Sequence, residues 1–287
     1  MAQNTNSSEA SQTRKAAQRR AVITRGLVYL LAVVMACWIL LPIWLIGSQA
    51  FTARSGFFNF PKMFFPTPYS PETMDFFINA TGVIDSMGRS VIVAAITVAV
   101  SLFVGAPAGY ALARFAFPGR DFFRVIIVST RSFPIVILAI PLAVTFIKLD
   151  LYDSVFSLAM MHVALALPFT VLVTSSVFAG VPRDLEEAAE TLGCSPVQAF
   201  IRIVLPLVLP GLAAATLFTF VLSWNEVFAS TILTLRNRTL PALLISQLDM
   251  APLYYRYAGG FFLLLPSLFF MLFIRKYLFT LWGRVSR

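Results

Sequence analysis

Three carboxylates, Asp184, Glu186 and Glu187, open a short polar stretch that continues through Ala188, Ala189 and Gly193 to Ile203, Leu205 and Pro206. Long apolar segments flank the stretch on both sides. Carboxylates in this setting suit one kind of chemistry, charge-assisted contact with the cations of a docking partner. Ala188 and Ala189 would let a second surface come close. Taken alone, a charge run of this kind reads as an ordinary solvated loop. The spacing of the fixed residues therefore has to decide between the two readings.

Other reactive groups are sparse. His162 is the only histidine, and it lies within an apolar run, where it reads as a hydrogen-bonded packing residue ahead of a proton relay. Cys37 falls in an apolar run and Cys194 in the polar stretch, so they should sit at different depths and stay unpaired. No Gly-x-x-x-x-Gly-Lys-Ser/Thr loop, Gly-x-Ser-x-Gly, His-Glu-x-x-His or Cys-x-x-Cys pattern occurs. The expectation is a chain with no catalytic residue, no cofactor and no metal. Arg131, Asn225 and Glu226 are charged or polar residues within apolar runs, and all three are candidates for the solute pathway or a gate. For Arg131 the competing reading is snorkelling to the membrane surface, and for Glu226 it is a position at headgroup level. The 28 Phe are expected mainly in packing and lipid contact, and none is assigned to a solute.

The elements that must position these residues follow from composition. Only 12% of the 287 residues are charged and 59% are hydrophobic, far from the roughly 25% charged usual in soluble domains. The apolar residues come in six runs, at 26–50, 88–113, 124–147, 154–181, 205–231 and 258–281, each longer than the approximately 20 residues that cross a bilayer. Helices are the only economical spanning element here, since lipid satisfies no backbone group. The expected fold class is an all-α membrane protein with six transmembrane helices. The first run exceeds the core of a signal peptide and reads as a retained anchor. Residues 1–25 and 284–287 are expected to be cytoplasmic tails, the first of them disordered.

Orientation comes from the cations. With the N-terminus inside, fourteen Lys and Arg fall on inner segments and seven on outer ones. That bias predicts N-in and C-in by the positive-inside rule. The net charge of +9 is thus explained by topology, and nucleic acid is not an expected partner. The same topology puts the Pro-rich loop 51–87 and the segment 233–257 outside, and the stretch 182–204 inside. That stretch reads as helix, turn and helix. Proline at 182 sits near its start, acidic residues suit the first turn, Gly193 stops the first helix, and Ser195-Pro196 opens the second.

The full pattern, Glu187-Ala188-Ala189, three residues, Gly193, nine residues, Ile203, one residue, Leu205-Pro206, resembles the EAA signature of ABC-importer permease subunits. Gly109 to Arg120, Leu167-Pro168-Phe169 and Ser223-Trp224-Asn225-Glu226 look like the carbohydrate permeases of the MalG type, and the resemblance covers about residues 26–283. It implies a transmembrane permease domain over 26–283, with 182–204 as coupling helices between spans four and five. By the same resemblance, Glu186, Glu187, Ala188, Ala189, Gly193, Ile203, Leu205 and Pro206 couple to an ATPase on a separate chain. The implied partners are a second permease subunit, two ATP-binding subunits and an extracytoplasmic solute-binding protein, in the bacterial or archaeal cytoplasmic membrane. The implied cargo is a carbohydrate or related polyol. Leu192-Gly193-Cys194 departs from the Asp-Gly-Ala common in sugar permeases, which keeps a non-sugar solute such as a polyamine open. A secondary transporter driven by an ion gradient is the reading from outside this family.

Overall fold

A computed structural model describes the backbone of residues 3–247 and 250–285, and the side chains over 20–247 and 250–275. The protein is all-α. The described helices are α1 Gln3–Ala50, α2 Glu72–Ile78, α3 Val83–Arg114, α4 Arg120–Thr130, α5 Ile135–Lys148, α6 Val155–Ala179, α7 Asp184–Thr191, α8 Pro196–Ala199, α9 Leu205–Asn225, α10 Phe228–Leu233, α11 Leu240–Gln247 and α12 Leu253–Val285. Among the described residues, five continuous helical stretches are long and apolar enough to span a membrane, and α4 with α5 makes a sixth if that bent pair counts as one span.

The chain divides into two compact units, residues 1–73 and 74–287. In the first, the Pro-rich segment folds back on the end of α1. Trp44 donates to the Phe64 carbonyl at 2.8 Å and stacks on the Phe64 ring. Thr52 pairs with Tyr69 in a single antiparallel bridge. The segment is therefore ordered by local backbone pairing and aromatic contact. The sequence reading expects disorder over residues 1–25, whereas the described helix begins at Gln3. Ala, Gln, Arg and Lys are frequent there, and these good helix formers support a helix without an apolar stripe. Residues 1–2 and 286–287 of the two expected tails lie outside the described residues.

In the second unit, α3, α6 and α9 pack into a tight core. Small residues let the backbones approach, as in other membrane bundles. A Cβ at Gly109 would meet Thr174 Oγ1 at 2.1 Å, one at Gly105 would meet Thr170 at 2.8 Å, and one at Gly211 would meet Val177 at 2.4 Å. Buried hydroxyls tie the same helices together. Thr174 donates to the Gly105 carbonyl at 2.9 Å, and Thr170 and Thr219 share a hydrogen bond of 3.1 Å. The Thr170, Thr174 and Thr219 hydroxyls thus have partners, as polar groups in a lipid-embedded core require, whereas Ser101 Oγ on α3 is buried without one among the described residues.

Two expected spans are corrected. The third, 124–147, is broken: α4 and α5 meet at 87° across residues 131–134. Pro134 supplies the reason, because it has no N–H for the ladder and pushes Phe133 out of the helical region. The fifth, expected over 205–231, ends at Asn225. Glu226 is extended, and α10 starts afresh two residues on. Its carboxylate accepts from the Ala229 and Ser230 N–H groups at 2.8 and 3.2 Å, satisfying donors that the new helix start leaves open.

The end of this unit opposite the 182–204 stretch is closed by a polar clasp. Asp153 Oδ1 accepts from the backbone N–H groups of Leu235, Arg236 and Asn237 at 2.8, 3.1 and 3.0 Å. Asn237 returns a side-chain bond to the Asp153 carbonyl at 2.6 Å. The turn before α6 is thereby stitched to the loop after α10.

Candidate functional site

The polar stretch forms a hairpin of two short helices, and its local sequence dictates the shape. Gly193 has φ +92°, a left-handed conformation that glycine adopts without steric cost. Its N–H bonds the Glu190 carbonyl at 2.9 Å, and the Cys194 N–H bonds the Ala189 carbonyl at 3.0 Å. This pair of bonds is a Schellman closure of α7. Ser195 then opens α8 with a reciprocal capping box. Its Oγ accepts from the Gln198 N–H, and its own N–H bonds Gln198 Oε1. The expected stop and restart are both present. Pro182 lies one residue before the N-cap Arg183, not within the first turn.

A single π turn, Phe200–Val204, joins α8 to α9. Pro206 accounts for it. Its ring has no N–H to give the Arg202 carbonyl and would collide with that carbonyl in a regular helix. Widening the preceding turn relieves the clash. Ile203 and Leu205 are half-buried on this joint, Val204 is buried beneath it and Pro206 is exposed.

The acidic residues of α7 divide into two roles. Glu187 and Ala188 are exposed on the outer face, and Ala189 is buried at 7% exposure. Glu186 faces inward, against the expectation that it meets a partner. Its carboxylate pairs with the Arg114 guanidinium at 2.5 Å and accepts from Tyr110 Oη at 2.5 Å. Both ionic side chains are largely covered, Arg114 at 7% and Glu186 at 14% exposure. The physical reason is helical phase. Residues 186 and 189 share one face of α7, which packs on the end of α3, while 187 and 188 point away. Arg114 also donates to the Val181 carbonyl at 2.9 Å, and Arg183 donates to the Arg114 carbonyl at 2.8 Å. Tyr110 is held edge-on by Phe178 and Phe200. The hairpin is thus tied to the end of α3 by these bonds and to Phe178 of α6 by ring contact.

An open recess of about 530 Å³ runs beneath it, lined by Tyr110, Arg114, Glu186, Glu187, Pro196 and Phe200 among others. Exposed Leu192 (86%) and Val197 (66%) stand on the hairpin surface beside the acidic residues Glu187 and Glu190. Apolar knobs with carboxylates at their edge make a surface suited to a protein partner carrying cations.

The remaining expected site residues are scattered. Arg131 lies in the break between α4 and α5, exposed, with its guanidinium 5.2 Å from the Phe169 ring centre. Asn225 is exposed at the end of α9, where it borders a cavity of about 250 Å³ with Pro241, Tyr255 and Arg256. Glu226 does not line that cavity. It is tied to the start of α10 and to His162 Nε2 at 3.1 Å. His162, fully buried, reaches Ser223 with its other nitrogen at 2.8 Å, in line with a packing role.

Residues 105–279 match the family described as the inner membrane component of binding-protein-dependent transport systems. The chain belongs to this family. The matched region takes in the hairpin, its Arg114 and Tyr110 anchors, the end of α3 from Gly105, and all of α6 and α9. This inner membrane component is 30% identical to the diacetylchitobiose uptake system permease protein DasC of Streptomyces coelicolor, over 68% of this chain and 71% of that one. It is 31% identical to the trehalose transport system permease protein SugB of Mycobacterium tuberculosis, over 57% of this chain and 58% of that one. Among solved structures, a chain of a bacterial ABC transporter that imports the acidic polysaccharide alginate superposes with a TM-score of 0.73 at 20% identity, covering 89% of this chain and 96% of that one. That likeness establishes the fold.

Sequence reasoning missed Tyr110 and Arg114 as partners of Glu186. The available signal was a cation in the last turn of α3, which a buried acid elsewhere could satisfy. It also missed Gly105 and Gly109, although glycines four apart in an apolar helix are a recognised close-packing pattern.

Proposed function

We propose that this inner membrane component is a permease subunit of an ABC importer that passes a carbohydrate or related polyol across the cytoplasmic membrane. The hairpin 182–204 faces the cytoplasm and takes the stroke from an ATPase on a separate chain. A second permease subunit, two ATP-binding subunits and an extracytoplasmic solute-binding protein complete the machine. The observation that carries this reading is the division of labour on α7. Glu186 anchors the hairpin inside the protein, while Glu187, Ala188 and the Gly193 turn are presented outward on a stiff mount. A rigid projection transmits displacement, whereas a loose loop would absorb it. The carbohydrate assignment draws support from the named substrates of the two relatives.

The test is uptake of labelled saccharides by vesicles holding the whole assembly, with Glu187→Ala and Gly193→Val variants beside the wild type. Both variants are expected to insert normally, lose uptake and co-purify less ATPase. Wild-type uptake and unchanged co-purification in both would refute the coupling role. Transport without any ATPase partner would instead favour an ion-driven carrier.

A further inference from the structure

The break between α4 and α5 leaves Arg131 in an unusual position. Its guanidinium lies over one side of Phe169, and Phe169 is stacked on Phe218 with ring centres 3.7 Å apart. Phe169 is close to the middle of α6, and Phe218 lies well inside α9, so this cation sits deep within the bundle's length. Arg131 is exposed, and among the described residues it has no acidic or hydrogen-bonding partner. Thr130 and Ser132 beside it are exposed as well.

A guanidinium at membrane depth is costly unless it faces a wet cavity or a counter-charge. Snorkelling, the competing reading for a regular span, fits poorly. The side chain leans on an aromatic ring instead of extending along α4. Stacking on Phe169 holds the group by cation–π attraction while leaving its N–H edge donors unused. Such a fork is shaped for a carboxylate or sulfonate, which it binds through two parallel hydrogen bonds. The outer face of Phe218, 38% exposed, extends the ledge with an apolar surface on which a sugar ring can lie.

We propose that Arg131, mounted on the Phe169–Phe218 stack, is a subsite in the solute pathway that engages the anionic group of an acidic saccharide. This inference rests on the carbohydrate-importer reading given above. The test uses the whole assembly in proteoliposomes with its binding protein. Four labelled probes are supplied: trehalose and cellobiose as neutral disaccharides, and digalacturonate and a sulfonated hexoside as acidic ones. Uptake, ATPase rate and subunit co-purification are measured together. Wild type is expected to move an acidic probe. Arg131→Gln should lower that uptake about tenfold or more, the value of one lost charge-assisted bidentate contact, with Arg131→Lys intermediate. Neutral uptake should fall far less than acidic uptake, and co-purification should hold. Phe169→Leu should weaken acidic uptake in the same direction by less. Transport of neutral probes alone by wild type overturns the subsite while leaving the importer reading intact. Equal loss of both probe classes, or loss of co-purification in Arg131→Gln, also overturns it and assigns Arg131 to structure or to a subunit contact. If no saccharide of either class moves, the importer reading itself falls.

Discussion

Tyr110 and Glu186 stand 76 positions apart in the sequence and meet at 2.5 Å, where the same carboxylate also receives Arg114. This contact joins the end of α3 to the hairpin. Removing either cationic or acidic partner leaves a covered charge alone, which costs far more than the pair contributes when intact.

The first prediction follows from that asymmetry. Arg114→Ala should destabilise the protein by about 3 kcal/mol or more, because Glu186 stays covered without its counter-charge. Glu187→Ala, at an exposed position, should change stability by less than about 0.5 kcal/mol while abolishing uptake. Thermal unfolding in detergent and uptake, measured on both variants, separate anchor from contact. Equal melting shifts would contradict the assignment.

Gly193 carries a second prediction. A Cβ there meets nothing within 4 Å, so space is available, yet φ is +92°. Gly193→Ala should therefore cost about 1 kcal/mol from backbone strain alone. Gly193→Asn should cost less, since Asn tolerates the left-handed region. The order Gly, Asn, Ala in melting temperature checks the mechanism, and crowding would place Asn last.

Gly211 tests the close packing of α6 and α9. Gly211→Ala drives a methyl group to 2.4 Å from Val177 and should destabilise by roughly 1–3 kcal/mol. Val177→Ala in the same chain should restore much of the loss. A double-mutant cycle on unfolding reads the coupling directly, and strict additivity would show that the two sites do not touch.

Glu226→Ala should act on structure. The change strips acceptors from the Ala229 and Ser230 N–H groups and a partner from buried His162. A loss of about 1–3 kcal/mol is expected for the donors left unsatisfied. ATPase co-purification should remain at the wild-type level, since the hairpin lies at the other end of α9. Co-purification that falls in step with Glu187→Ala would overturn this separation.

Much of the protein can be read from residue order alone. Run length and low charge decide that the chain is a helical membrane protein, because lipid forces backbone groups to pair within each segment. The Gly193 stop and the Ser195 capping box are equally local, each closed by bonds reaching no more than five residues. The spacing from Glu187 to Pro206 is likewise a property of sequence. Pro134 and Pro141 admit either a hinge or an inert bend in the third span, and residue order alone does not choose between them, so the 87° bend was not legible.

Contacts between distant segments belong to the tertiary structure. Glu186 and Glu187 are adjacent and chemically identical, yet one is an anchor and the other is on display. Only the docking of α7 on the end of α3 decides which is which, since a step along a helix turns a side chain by about 100°. Glu226 gains its partners in the same way, once α9 ends at Asn225 and brings it to His162 and the start of α10. Arg131 gains its setting from Phe169 and Phe218 on two other helices. Hydrophobic run length and turn chemistry act within a few residues and are written in the chain. The partner of a buried charge is set by how helices pack, and that is settled only when the bundle closes.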